Sequence, residues 1–496
     1  MKSSVWLQEG GCDGRRPSSS GSDVGFSARL LSFVAVASLL WAGGAPIAAD
    51  EGVHQPGVAG IGSAVMPTVQ LPSQPAPQVP ASGTIHLALP PLSPDERRER
   101  ERMQSGDGPL RLGFGRTLEN RRQVSSALER RPWSPTHADG HALEWHLTSP
   151  GAVGLRLAVL PRQVPDGMLL RVSAPSQAFG APISGAEINA SVRRNCEAGA
   201  DDEAASLFWL PLVVGDALTL QVELPAGVDP GDTRLELVRV SHFFSLPFLH
   251  RGSNPAAAPD EATDPACAEE WDAPSRATTL LLYTHSDGAT GACTGTLLND
   301  ADPQTFIPYV LSAHHCFPDQ VRASSIESLW FVRSETCGGV LASYATVSGG
   351  ADVLYLAKST DTALLRLRRP PPAGAVFIDW EPTLPAKGDE VFGVHHPAAQ
   401  RQQRTVAVVS EYMNCEQVDY CGDDYDPDAV HFVRVDRRLG GTNGGSSGSG
   451  LYSTAQRLIG QHLGGSDAGG FDYYGRFDQP YRDGLARWLG VGRIEH

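Results

Sequence analysis

The chain has 496 residues, with Lys+Arg 40 against Asp+Glu 56 and a formal net charge of −16, which speaks against a nucleic-acid binder whose affinity rests on basic surface. Its length suggests about three folding units, and 41% hydrophobic residues leave ample material for cores, so a disordered chain is excluded as well. Eight cysteines without a CxxC pair are too few for a disulfide-dense scaffold and argue against a structural zinc site.

The run LLSFVAVASLLW at 30–41 follows Arg29 and precedes Gly43, Gly44, Pro46 and the small residues Ala48 and Ala49. It reads as a secretory signal peptide over 1–49, and export makes oxidised cysteines expected. A bilayer span needs about 20 apolar residues, and this run is broken by Gly-Gly and Pro, so no stable membrane anchor is expected. Residues 50–94 are read as a linker, because 65–94 is rich in Pro, Ser, Gln and Ala. The following DERRERERMQ mixes both signs at helical spacing and reads as a solvated helix.

From 95 to 250 the pattern is that of a small antiparallel β-sandwich. Alternating runs LEWHL, VGLRLAV, MLLRV, ALTLQVEL and RLELVRV are separated by turn signals such as Ser149-Pro150-Gly151 and Pro165-Asp166-Gly167. Nothing in it looks catalytic. Residues 251–266 read as a second linker and processing segment, with Pro255, Pro259 and Pro265 among Ala and acidic residues. The remainder, 267–496, is again strand-rich, and its end carries Tyr481, Leu485, Trp488 and Leu489 at i, i+4, i+7, i+8. The expected arrangement is all-β with one late helix packed on the core.

Three local patterns in this last segment carry chemistry: LSAHHC (311–316), TDTALLRL (360–367) and GGSSGSG (444–450). A hydroxyl is a poor nucleophile at neutral pH and needs an imidazole within hydrogen-bond reach, which in turn needs a carboxylate to fix its tautomer. Glycines at Gly445 and Gly448 allow the sharp turn that aims backbone amides at a developing oxyanion. Singly, a Gly-Ser run is usually a flexible loop and an Asp before an apolar strand usually a turn residue. His-His-Cys suggests metal, but no ligand-spaced partner accompanies it, and no metal or other cofactor is expected.

Taken together, in the order His, Asp, Ser, these patterns resemble those of the chymotrypsin-like (trypsin-like) serine peptidases, and within them the chain is similar to the bacterial lysyl endopeptidases. The likeness covers about 267–488 and rests on CTGTLLN (293–299), LSAHHC, DTALLRL, VHHP (394–397), GSSGSGLYS (445–453) and DYYGR (472–476). It implies a double β-barrel of the chymotrypsin type with a C-terminal helix, preceded by the sandwich as a pro-region. It further implies His315, rather than His314, as base, Asp361 as its orienting acid, Ser447 as nucleophile, and the amides of Gly445 and Ser447 as oxyanion hole. Asp352 is the fallback for the orienting carboxylate.

The resemblance also implies the disulfides Cys293–Cys316, worth about 3 kcal/mol by loop entropy, and Cys267–Cys337. Cys415 and Cys421 are close enough in sequence to close a local loop, whereas Cys196 is expected to be able to stay a free thiol and the pairing of Cys12 is left open. The position six residues before Ser447, where trypsin relatives carry their pocket acid, is Gly441; Asp472 matches the place where lysyl endopeptidases carry theirs. A buried carboxylate selects a cation, and a loop aspartate is the plain alternative. Gly464 and Gly465 would open that pocket. The family usually has a histidine directly before the two glycines, but here His462 and Leu463 are exchanged, and strand alternation sends that imidazole to the other face.

The expected protein is a secreted, extracellular monomer: a serine endopeptidase acting on protein and peptide substrates after Lys, with Arg as the other possibility, and bound by its own pro-region. Ser446 stands where animal relatives carry the aspartate of their activating ion pair, so that switch is absent. Maturation is expected between His250 and Cys267. No lysine occurs between Lys2 and Lys358, which leaves Arg251 as the only arginine in the window and Gly252 as the start such a cut would give. The rivals are the same fold with another pocket preference, and a secreted binding protein with a silent barrel.

Overall fold

The structure, a computed structural model, describes residues 63–67, 76, 79, 84–105, 110–118, 133–136, 138–175, 177–200, 202–247, 260–302, 304–416, 421–423 and 429–490. The apolar run at 30–41 and most of the processing segment lie outside them. No helix among the described residues is long and apolar enough to cross a membrane.

The N-terminal half is a two-sheet sandwich. Ala217–Leu224 illustrates why its strands form where they do, since Leu218, Leu220, Val222 and Leu224 fall on one face and are all buried. This strand lies between His141–Thr148 and Leu169–Ser173 in one sheet. Across the core, Leu155, Leu157 and Val159 of Gly154–Gln163 and Leu235, Leu237 and Val240 of Arg234–Phe243 pack against Leu143, Trp145, Leu147 and Leu220. Two pieces of the Pro-rich stretch read as a linker are strands. Thr84–Ala88 pairs in parallel with His141–Thr148, and Ala64–Val65 pairs with Val376–Phe377.

A helix not expected from the sequence, Gly185–Glu197, is inserted in the sandwich. Its capping box is complete, Ser184 Oγ accepting from the Glu187 amide while the Glu187 carboxylate accepts from the Ser184 amide. Its buried residues are Gly185, Ile188, Ser191 and Asn195, so no apolar stripe announces it. The solvated helix over Pro94–Ser105 is present as expected.

The C-terminal half is built of two antiparallel units. Glu327–Trp330, Thr278–Thr284, Thr290–Leu298, Tyr309–Ala313, Thr362–Leu367 and Ala351–Ala357 pair in that order as a half-barrel. Glu390–His395, Gln403–Cys415, Phe432–Leu439, Phe471–Arg476, Leu458–Ser466 and Gly450–Tyr452 close on themselves as a six-stranded barrel. Between them Leu311 and Leu364 meet Val394, Tyr452 and Leu458, and the C-terminal helix seals the seam with Leu485 and Leu489. This is the chymotrypsin fold. The helix contains one π turn, Tyr481–Leu485, flanked by α turns.

The two halves share a sheet. Arg111–Thr117 pairs with Arg234–Phe243 on one side and with the start of Thr290–Leu298 on the other. Glycine makes this approach possible, since a Cβ on Gly115 would lie 1.8 Å from the Asp287 carbonyl oxygen.

Candidate active site

The strand Tyr309–Ala313 delivers His315 to the seam between barrels, and a tight turn before Thr362–Leu367 delivers Asp361. Asp361 Oδ2 lies 2.7 Å from His315 Nδ1, and its Oδ1 accepts from the His315 amide at 2.8 Å. Its carbonyl accepts from the His314 amide at 2.9 Å. The carboxylate is thus buried and clamped, while the imidazole is 40% exposed. With Nδ1 turned to the carboxylate, Nε2 is left to act on a substrate-side proton. Asp352 serves elsewhere. It receives Arg368 Nε at 2.9 Å and Arg366 Nη2 at 3.0 Å, with Arg194 at 3.5 Å, and although burial opposes its charge, these guanidinium groups hold its carboxyl below the usual value.

The loop that carries Ser447 is threaded against the same strands. The Thr294 amide donates to the Ser447 carbonyl at 2.8 Å, and Thr294 Oγ1 to the Gly445 carbonyl at 2.7 Å. Gly445 and Gly448 have φ of 100° and 82°; a Cβ on Gly448 would lie 2.2 Å from Ser312 Oγ and one on Gly445 2.7 Å from the His396 carbonyl oxygen. Both glycines are therefore required by backbone conformation and by space. Neither Gly445 nor Ser447 donates its amide to a group among the described residues, the condition an oxyanion hole needs. Ser447 Oγ forms no hydrogen bond with His315, a contact that in enzymes without substrate often tightens only on binding. Beneath the loop, His395 Nδ1 meets Ser446 Oγ at 2.9 Å; burial is the main cause that lowers its pKa to about 3, so the pair is neutral.

The disulfides Cys293–Cys316, Cys267–Cys337 and Cys415–Cys421 are formed. Both sulfurs of the first lie within 4.8 Å of a His315 ring nitrogen. Cys196 is a correction to the free-thiol expectation: it is disulfide-bonded.

Asp472 is fully buried at the start of Phe471–Arg476. Its Oδ1 accepts from Thr442 Oγ1 at 2.5 Å and Arg437 Nη1 at 2.7 Å, with His462 Nε2 at 3.3 Å, whereas its buried Oδ2 has no hydrogen-bond partner among the described residues. Burial alone would raise its pKa, but the His462 and Thr442 bonds and the Arg437 charge outweigh it and lower the value to about 2. Gly464 and Gly465 pair with Tyr473 and Asp472, and a Cβ on Gly465 would lie 2.1 Å from Asp472 Oδ1. A register shift between His462 and Gly464 defeats the simple alternation expected here: the bulge turns the His462 imidazole onto the acid.

Three participants escaped the sequence reading. Gln461, wholly buried in Leu458–Ser466, donates Nε2 to the Thr360 carbonyl at 2.6 Å and to Thr362 Oγ1 at 3.1 Å, gripping the Asp361 turn from the opposite barrel. Arg437 occupies Asp472. Leu110, just ahead of Arg111–Thr117, covers the nucleophile loop: a Cβ on Gly444 would lie 3.2 Å from its Cβ, and one on Gly445 3.2 Å from its Cδ2.

Comparison with known proteins agrees with this architecture. The family description "Lysyl endopeptidase, C-terminal domain" matches residues 260–477, and "Lysyl endopeptidase N-terminal domain" matches 88–244. A lysyl endopeptidase of Pseudomonas aeruginosa is 30% identical over 466 residues, 90% of this chain and 92% of the relative. Among solved structures, the Rv3671c protease of M. tuberculosis in its active form is 16% identical and covers 50% of this chain and 96% of its own, at a TM-score of 0.31. An HtrA-type protease, AlgW with a tripeptide, is 16% identical with coverage of 42% and 58% and a TM-score of 0.28. Both domains and the full-length relative lead to one conclusion: the chain belongs to the lysyl endopeptidase family and is a serine endopeptidase.

Proposed function

We propose that this is a secreted endopeptidase that cleaves after lysine through His315, Asp361 and Ser447. The observation that carries the reading is the double contact of Asp361 with the ring and backbone of His315, beside two unpaired amides on the nucleophile loop. In the reaction, His315 Nε2 takes the Ser447 hydroxyl proton as Oγ bonds to the scissile carbonyl carbon. The carbonyl electrons move onto oxygen, where the Gly445 and Ser447 amides receive them. Collapse breaks the C–N bond, and the proton on Nε2 passes to the leaving amine; water repeats the sequence to release the acid.

Asp472 supplies the counter-charge for the side chain before the cut. Its buried, partnerless Oδ2 supports the role, because a buried carboxylate oxygen left unpaired is costly and a cation relieves it. The N-terminal sandwich is read as a pro-region whose strand covers the leaving-group side. Support comes from the pairing of Arg111–Thr117 with Thr290–Leu298 and from Leu110 over Gly444 and Gly445.

The test is cleavage-site profiling of a protein digest by the processed, secreted form beside Ser447→Ala. Cuts confined to lysine, and absent from the variant, are the expected result. Cuts after uncharged residues would remove Asp472 from its role, and equal cutting by the variant would remove Ser447.

A further inference from the structure

We infer that Arg437 is a specificity-determining residue that makes this pocket accept lysine and reject arginine. The inference rests on the reading of Asp472 as pocket acid and adds what the acid alone leaves open. An isolated carboxylate offers two oxygens side by side, and a guanidinium takes both in a two-bond fork. Lysine needs only one, because its ammonium is a compact point charge with rotatable donors.

In this protein the fork is already taken on one side. Arg437, 5% exposed, reaches from Phe432–Leu439 to Asp472 Oδ1 at 2.7 Å. Its other nitrogen donates to the Ser466 carbonyl and to Asp467 Oδ1, each at 3.0 Å. These bonds lock the guanidinium in place, and Thr442 and His462 crowd the same carboxylate oxygen. Oδ2 remains without a partner among the described residues. A substrate arginine could not make its second bond to Asp472 and would bring one guanidinium against another in a water-poor site. A lysine ammonium meets Oδ2 alone. Arg437 acts through Asp472 and is a positioning residue.

The experiment compares kcat/KM for paired peptides differing only in Lys or Arg before the cut, using processed enzyme quantified by active-site titration. Arg437→Gln should lower the Lys-to-Arg ratio at least tenfold, chiefly by raising the arginine value, whereas Arg437→Lys, which retains a cation on Oδ1, should keep most of the discrimination. An unchanged ratio in Arg437→Gln overturns the inference. If that variant yields no titratable enzyme, Asp467→Asn decides: it releases the outer hold on Arg437, and the ratio should fall at least threefold or the inference is overturned. Equal wild-type values for the two peptides would also overturn the inference, whereas equal cutting of a third peptide with norleucine at that position would be a failure of the Asp472 reading itself, visible before any variant is compared.

Discussion

Asp361 has φ of 53°, a left-handed backbone conformation that aspartate tolerates better than most residues. The turn is bent so that one side chain meets both the amide and the ring of His315, fixing the imidazole by position as well as by charge. Asp361→Asn keeps the shape but puts an amide where an ionised acceptor is needed. We predict a fall in kcat of about 10⁴-fold with little change in melting temperature. Asp352→Asn should do the reverse, preserving kcat while lowering the melting temperature, because Asp352 anchors Arg194, Arg366 and Arg368. Steady-state kinetics with thermal denaturation on the same preparations checks both. A larger loss of kcat in Asp352→Asn would reverse the assignment.

At the scale of elements, the strand Leu458–Ser466 organises the site. Gln461 holds the Asp361 turn, the His462 backbone exchanges hydrogen bonds with Gly448 and Ser449 of the Ser447 loop, and its imidazole and the two glycines lie against Asp472 and its strand. The strand thus touches the Asp361 turn, the loop that carries Ser447 and the Asp472 carboxylate across the seam. Close approach is built in, since a Cβ on Gly475 of the neighbouring strand would lie 2.0 Å from the Thr360 carbonyl that Gln461 grips. Gln461→Leu leaves that buried carbonyl without its donor, a penalty of about 1–3 kcal/mol. The expected result is a drop in kcat of about tenfold, roughly 1.4 kcal/mol of barrier, with KM little changed. Unchanged kcat would show that the turn holds Asp361 without help.

The same strand marks what the sequence could tell. Ala217–Leu224 was legible because alternation dictates burial, and the contact of Asp361 with His315 was legible through the resemblance that named both residues. Gln461 and Arg437 were not, because their roles come from what meets them across a barrel. The bulge at His462 reversed a sound argument from alternation. Helix Gly185–Glu197 stayed hidden for a related reason: Asn195 and Ser191 are buried by bonds to Ser324 and Arg368 of the other half, so polar residues line the face that periodicity requires to be apolar.

Over the whole molecule, the two halves are joined by more than the shared sheet. Arg156 is buried in the junction, donating to the Leu210 carbonyl at 3.0 Å, Thr284 Oγ1 at 2.8 Å and the Ser325 carbonyl at 2.9 Å, with Glu327 at 3.8 Å. Glu327 in turn accepts from the Leu212 amide at 2.9 Å, and Arg369 pairs with Glu187 at 2.7 Å. Separating the halves uncovers these groups and removes Leu110 from the nucleophile loop. A cut in the connecting segment therefore does not by itself part the two halves.

Who makes that cut follows from the pocket. Lysine is absent from 3–357, and Arg251 is the only arginine in the window between His250 and Cys267. If Arg437 bars arginine from the pocket, the enzyme cannot release itself. Purified wild-type precursor incubated alone should stay intact. An added arginine-cleaving protease should convert wild type and Ser447→Ala precursors at equal rates, giving chains that begin at Gly252. Processed Arg437→Gln enzyme added in trans should cut the Ser447→Ala precursor after Arg251, whereas processed wild type should leave it intact. Self-conversion of the wild type, with a new N-terminus at Gly252 and none in Ser447→Ala, would show that the pocket admits arginine despite Arg437.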